Sequence, residues 1–221
     1  MPANMRVIII YFLLFYSKQL FGQHSDTVKV NNNTVILTSY NDAKIIKQAD
    51  SLLDQNMIKE AIEKYTIVVE LSPNNKTAIS NRAFAHLQLD NYNKSLNDYN
   101  TAINLDSTDY LNLSNRALVK WYLKDFYRAI EDCDRAIAND SNYTYAYFHK
   151  GISYFELKNY KEAINCYGKS IRIDSNFTRA YFNMGNSKFQ LNNLLGACAD
   201  WERAKSLGHK MAYTMIKKYC R

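Results

Sequence analysis

Residues 80–83 read SNRA, and residues 114–117 read SNRA again, 34 positions later. Sliding the chain against itself by 34 shows that the echo belongs to a longer register. Leu89, Leu123, Leu157 and Leu191 align, followed by Tyr92, Phe126, Tyr160 and Leu194. Ser95, Ala129, Ala163 and Ala197 come next, then Tyr99, Cys133, Tyr167 and Trp201, then Ala102, Ala136, Ser170 and Ala204. A weaker upstream copy supplies Ala49, Ile58, Ala61, Tyr65 and Val68, closed by Leu71, Ser72 and Pro73. The register divides the chain into units 42–75, 76–109, 110–143, 144–177 and 178–208. A fixed period of roughly 20–50 residues marks an array of stacked supersecondary units.

The unit 144–177 shows what is stacked. Tyr147, Gly151 and Tyr154 fall at i, i+4, i+7, one face of a helix, and Ala163, Tyr167 and Ser170 repeat that spacing after the turn 157–160. Asp174-Ser175-Asn176 ends the second helix and offers cap acceptors for the next. Small residues recur where the two helices must cross closely: Ala49, Ala83, Ala117, Gly151 and Gly185 on the first helix, Ala or Ser on the second. One helix pair cannot bury both of its faces, so neighbours must stack on it.

This pattern resembles the tetratricopeptide repeat (TPR) family from Asp42 to about Met211: a small residue at unit position eight, an aromatic at seventeen and twenty-four, Ala at twenty and twenty-seven. Proline at position thirty-two survives only as Pro73, and Ile79, Leu113, Tyr147 and Tyr181 replace the family's Trp at position four. The resemblance implies an all-α, right-handed superhelical solenoid of helix-turn-helix repeats that holds peptides or partner helices in its concavity.

The two ends differ from the body. Arg6 precedes an apolar run from Val7 to Tyr16, and Leu20-Phe21-Gly22 closes the segment. This reads as a secretory signal peptide over 1–22, cleaved after Gly22 and directing the protein to the periplasm or cell envelope, or out of the cell. The alternative is a membrane anchor, which needs about 20 apolar residues to cross the bilayer. Residues 23–41 fit no helix period; they read as a polar linker, with a small hairpin around Asn31-Asn32-Asn33 as the other reading. Beyond the repeats, Ala212, Ile216 and Tyr219 fall on one face of a capping helix over 209–221.

The formal charge of +7 is carried by these ends. Residues 1–22 hold Arg6 and Lys18, and residues 203–221 hold Arg203, Lys205, Lys210, Lys217, Lys218 and Arg221, both without an acid. Over 23–202, 20 basic residues face 21 acidic ones, so the body is no nucleic-acid surface. The basic cap would make a weak contact with an anionic membrane surface or an acidic partner, or simply complement the helix C-terminus.

The four cysteines sort by position. Cys133 and Cys166 lie on equivalent second helices whose axes stand ~8–10 Å apart, and read as buried free thiols. Cys198 lies ten residues before a turn at Gly208 and Cys220 twelve after it, so both reach similar heights on an antiparallel hairpin and should form a disulfide.

No phosphate loop, metal-ligand spacing or nucleophile–base pair emerges: the glycines are scattered, and His24, His86, His149 and His209 lie far apart. No cofactor, no metal and no catalysis are expected. Acidic runs such as Glu131-Asp132-Asp134 read as a solvated outer face. What remains is the second stripe of each first helix, facing the inside of the stack. It comprises Asn81, Phe84 and Gln88; Leu111, Asn115, Leu118 and Tyr122; Tyr145, Phe148, His149 and Ile152; and Arg179, Phe182, Asn183 and Asn186. Apolar side chains there beside amides suit capture of an extended segment or helix of a protein partner. Two readings stay open: a non-enzymatic interaction module in a bacterial envelope, or an assembly subunit using its convex face or basic cap.

Overall fold

The computed structural model of the chain describes residues 30–31, 34–35 and 39–220. The signal-peptide reading of 1–22, the rest of the linker and Arg221 lie outside the described residues. Two compact units are present, 1–41 and 42–221. In the first, Val30–Asn31 (β1) pairs antiparallel with Thr34–Val35 (β2), Val30 opposite Val35, a small hairpin within the segment read as a linker.

The described residues form eleven helices. They are α1 (Ser39–Asp54), α2 (Ile58–Leu71), α3 (Lys76–Gln88), α4 (Tyr92–Leu105), α5 (Tyr110–Tyr122) and α6 (Phe126–Asn139). The series continues with α7 (Thr144–Glu156), α8 (Tyr160–Ile173), α9 (Thr178–Gln190), α10 (Leu194–Ser206) and α11 (Lys210–Tyr219). Odd helices are the first members of their units and even helices the second. The result is an all-α solenoid. First helices of neighbouring units touch each other (α3 with α5, α5 with α7, α7 with α9), whereas second helices of neighbouring units largely stand apart. The stack therefore curves with its first helices on the inner side.

The repeated columns of the sequence are the core. Tyr65, Tyr99, Cys133, Tyr167 and Trp201 are wholly buried, as are Ala61, Ser95, Ala129, Ala163 and Ala197 one turn earlier. The small residues opposite them are obligatory in the later units. A Cβ on Gly151 would lie 2.5 Å from the Tyr167 ring, and one on Gly185 would lie 2.7 Å from the Trp201 indole.

Each first helix ends in the same way. Asn56, Asp90, Lys124, Lys158 and Asn192 adopt positive φ near 60°. Their amides, and those of the residues that follow, bond back into the last turn: Lys158 N–H to Phe155 O and Asn159 N–H to Tyr154 O, both at 2.9 Å. This is the Schellman arrangement, which satisfies carbonyls left over at a helix end. It places the second helix antiparallel to the first. The other turn differs from the sequence expectation. Asn75 caps α3 by accepting from Ala78 N–H at 3.1 Å, and Asp109 likewise caps α5. Before α9, however, Asp174 folds back on Asn176 N–H and no side chain caps the helix.

Asp132 corrects the reading of an outer solvated acid. It is 2 % exposed, held in a fork by Arg116 at 2.8 and 2.6 Å and paired with Lys120 at 2.7 Å. Arg82 grips Asp98 in the same way one unit earlier. Asp134 and Glu131 do stay exposed. At the C-terminal end α11 packs its Met215, Ile216 and Tyr219 against Trp201, Ala204 and Phe189. The sulfurs of Cys198 and Cys220 lie 2.02 Å apart with Cα atoms 5.7 Å apart, the geometry of a disulfide, while Cys133 and Cys166 are buried free thiols.

Candidate functional site

On the inner face of units three to five the first helices leave an open hollow of about 300 Å³. Leu118 and Tyr122 of α5 form one wall, Ile152 and Phe155 of α7 the floor, and Arg179 and Asn183 of α9 the other wall. Leu118 and Ile152 are half-buried, whereas Tyr122 is 44 % exposed and stacks its inner side on Tyr92 with ring centroids 4.7 Å apart. Phe84, Leu111 and Tyr145 extend this exposed apolar row along the inner face.

Arg179 lies across the end of the hollow. Its guanidinium sits 5.5–5.7 Å from the ring centroids of Tyr145, Phe148 and Phe177, close enough for cation–π attraction. No carboxylate pairs with it among the described residues. Ring contacts of this kind do not consume its N–H donors, which stay available to an incoming acceptor. Glu156, at the rim, is the acid of the hollow.

Several residues of the sequence-derived stripe are not offered to a partner. Phe148 is 6 % exposed and belongs to the core with Ala163, Tyr167, Phe177 and Ala180, its ring 5.0 Å from that of Phe177. His149 is 5 % exposed, with Nδ1 3.1 Å from the carbonyl oxygen of Ser114 and 3.0 Å from its hydroxyl. A carbonyl only accepts, so Nδ1 carries the proton. Burial, with Arg179 nearby, pulls the His149 pKa down to about 4, against the opposing effect of the Ser114 bond. Phe148 and His149 line the hollow but are buried against neighbouring units, so the stripe is corrected there: these two offer a partner little surface.

The amides are also partly spoken for. Asn81 donates to Asp50 at 2.9 Å, and Asn186 accepts from the Trp201 indole N–H at 3.0 Å. Asn115 sits beside the buried Tyr99 hydroxyl. Phe182 stacks on His209 at 4.1 Å between centroids, inside the packing of the cap. Phe84, Leu118, Tyr122, Tyr145, Arg179 and Asn183 are what the inner face leaves accessible. The sequence stripe already held Ile152 but not Phe155, although Phe155 continues the α7 apolar row at helical spacing from Phe148 and Ile152.

A tetratricopeptide repeat model matches residues 77–109, and a TPR repeat model matches residues 151–192. The chain is a tetratricopeptide-repeat protein. No curated protein matches the sequence of this TPR chain. Solved structures share its fold. The crystal structure of MamA is 23 % identical and aligns over 75 % of this chain and 96 % of its own, with a TM-score of 0.65. YrrB, a TPR protein with an unusual peptide-binding site, is 19 % identical over 79 % of this chain and 90 % of its own, with a TM-score of 0.62. PilF of Pseudomonas aeruginosa is 16 % identical over 76 % and 77 %, with a TM-score of 0.70. At these identities the likeness is one of fold. A TPR array of this kind is a protein–protein interaction module.

Proposed function

We propose that the hollow of units three to five captures an apolar segment of a partner protein, without catalysis, in the envelope of a bacterium. The observation that carries the reading is the exposed row from Phe84 to Tyr145 leading into a hollow with an apolar floor. Water on such a surface is displaced favourably, at roughly 25 cal/mol per Å² of apolar area covered. Arg179 and Asn183 at one end give the segment a polar contact that fixes its register. YrrB, a TPR protein of similar fold, has a peptide-binding site, which favours peptide capture by this array as well. The envelope location rests on the charged, apolar and small-residue pattern of 1–22 and on the cysteine pair, since disulfides persist outside the reducing cytosol.

Selection of a random peptide library on the full chain tests this. Selected peptides should lose binding to Tyr122→Asp and to Ile152→Asp, and keep it on Tyr127→Asp, a large exposed side chain on a second helix. Peptides indifferent to the first two variants would refute the groove. The rival reading, an assembly subunit using its outer side, is favoured by the exposure of Tyr127 itself and would be supported by peptides that respond to it alone.

A further inference from the structure

We infer that the C-terminal end of the array is a docking surface for an anionic lipid bilayer, on which the protein lies without spanning it. Between 203 and 220 the chain carries Arg203, Lys205, Lys210, Lys217 and Lys218, all exposed, and no acid. Lys205 is paired with Glu202, and Arg203 lies over the Tyr181 ring. Lys210 and Lys217 have no ion pair among the described residues. Lys218 rests on the Tyr219 ring with its charge 4.9 Å from the centroid, which leaves its outer side to solvent.

Apolar side chains protrude from the same pair of helices. Leu195 is 88 % exposed, more than any other large hydrophobic residue described, with Leu194 beside it. Met211 and Tyr213 stand out from α11, whose packing against α10 is carried instead by Met215, Ile216 and Tyr219. The Cys198–Cys220 bond unites the two sets: Leu195 lies three residues before Cys198, and Lys217 three before Cys220. Bonding the first turns of α10 to the last turn of α11 holds the leucines and the lysine pair at one end of the molecule.

Projecting leucine, methionine and tyrosine side chains suit a fluid apolar phase better than a structured partner, which would need a pocket for each. Spaced lysines flanking them match the headgroup layer of an acidic leaflet, and a basic helix with a protruding apolar side is the form that settles in a membrane interface. No described helix is long and apolar enough to cross a membrane. This surface is separate from the inner-face hollow, so either site can fail without the other.

Sedimentation of the full chain with vesicles of phosphatidylcholine, alone or mixed with about one-third phosphatidylglycerol, tests the proposal. Binding to the mixed vesicles should exceed binding to the neutral ones. Each juxtaposed lysine contributes about fivefold, so Lys217→Gln with Lys218→Gln should weaken mixed-vesicle binding about twenty- to thirtyfold. Leu195→Gln should weaken it severalfold. The apolar stretch at 7–16 is common to all variants, so the contrast isolates the cap. Both lysines are exposed, and helical circular dichroism should not change. The wild type alone gives a second reading: about 1 M salt should release the part of the binding that the lysines supply, because screening then acts within ~3 Å. Undiminished binding of the lysine variant, no release by salt, or retention on polyglutamate but not on mixed vesicles would each overturn the proposal, the last in favour of an acidic protein partner.

Discussion

Trp201 donates its indole N–H to Oδ1 of Asn186 at 3.0 Å, linking the second helix of the last unit to the inner side of the first. At the opposite end of the array Asp50 accepts from both the Tyr65 hydroxyl and the Asn81 amide. Inner-face amides thus close the polar ends of aromatics whose rings fill the core. Replacing Asn186 by Ala strands a buried N–H and should lower stability by about 1–3 kcal/mol. A urea titration reads this as an earlier midpoint; an unchanged midpoint would return Asn186 to the set of residues free to meet a partner.

Phe148 and Tyr122 separate core from groove. A carboxylate at Phe148 falls among Tyr167, Phe177 and Ala180, so Phe148→Asp should cost at least as much as a Phe→Ala core truncation, about 3–5 kcal/mol. Tyr122→Asp loses a ring stack at the surface and should cost within about 1 kcal/mol. Thermal melts of the two variants check the contrast. Equal melting temperatures would mean that α7 is rotated from the setting described.

Acid should loosen the array through its buried imidazole. His149 has a folded-state pKa of about 4, below the ordinary histidine value of 6.5 from which it is lowered. Between those values the unfolded chain binds more protons than the folded one, so stability falls as pH drops from about 6.5 to about 4 and levels off below. Burial lowers His86 and His209 as well, adding to the slope in the same direction. Asp106, lowered to about 2 first by its bond from Lys76, loses its contribution only in stronger acid. His149→Asn should therefore show a shallower decline between pH 6.5 and 4 in denaturant titrations than the parent. A parallel decline would exclude His149 as a source of the slope.

The left-handed turn residues are a reserve of stability. Lys124 and Lys158 hold φ of 62° and 60°, where a side chain clashes with its own carbonyl and glycine does not. Lys158→Gly should raise the unfolding free energy by roughly 1 kcal/mol, and Gly208→Ala, at φ 90°, should lower it. Chemical denaturation of the two variants gives opposite shifts on this account; a loss of stability from both would show that the Lys158 side chain matters more than its backbone.

The 34-residue period was enough to read the helix pairs, their tight crossings and the aromatic at the centre of each unit, because those features depend on residue size at fixed spacing. The Cys198–Cys220 bond followed from counting residues on either side of Gly208. The burial of Phe148 was not legible, because α7 carries aromatics on two flanks and what covers Phe148 is Phe177, a loop residue 29 positions away. His149 was misplaced for a related reason: its anchor is the Ser114 carbonyl in the preceding unit, which no spacing rule within one helix reveals. The burial of Asp132 did leave a trace in the sequence. Arg82 and Arg116 in the two SNRA stretches recur at 34, and so do Asp98 and Asp132, sixteen residues beyond each arginine.

The claim that a partner segment lies in the inner-face hollow is tested most directly by covalent capture at single positions. A photo-reactive phenylalanine analogue placed at Tyr122, on the wall of the hollow, or at Tyr127, exposed on α6, is irradiated in the cell that makes the protein. The account predicts a discrete adduct from position 122, abolished by Ile152→Asp, and none from 127. An adduct from 127 with none from 122 would contradict it.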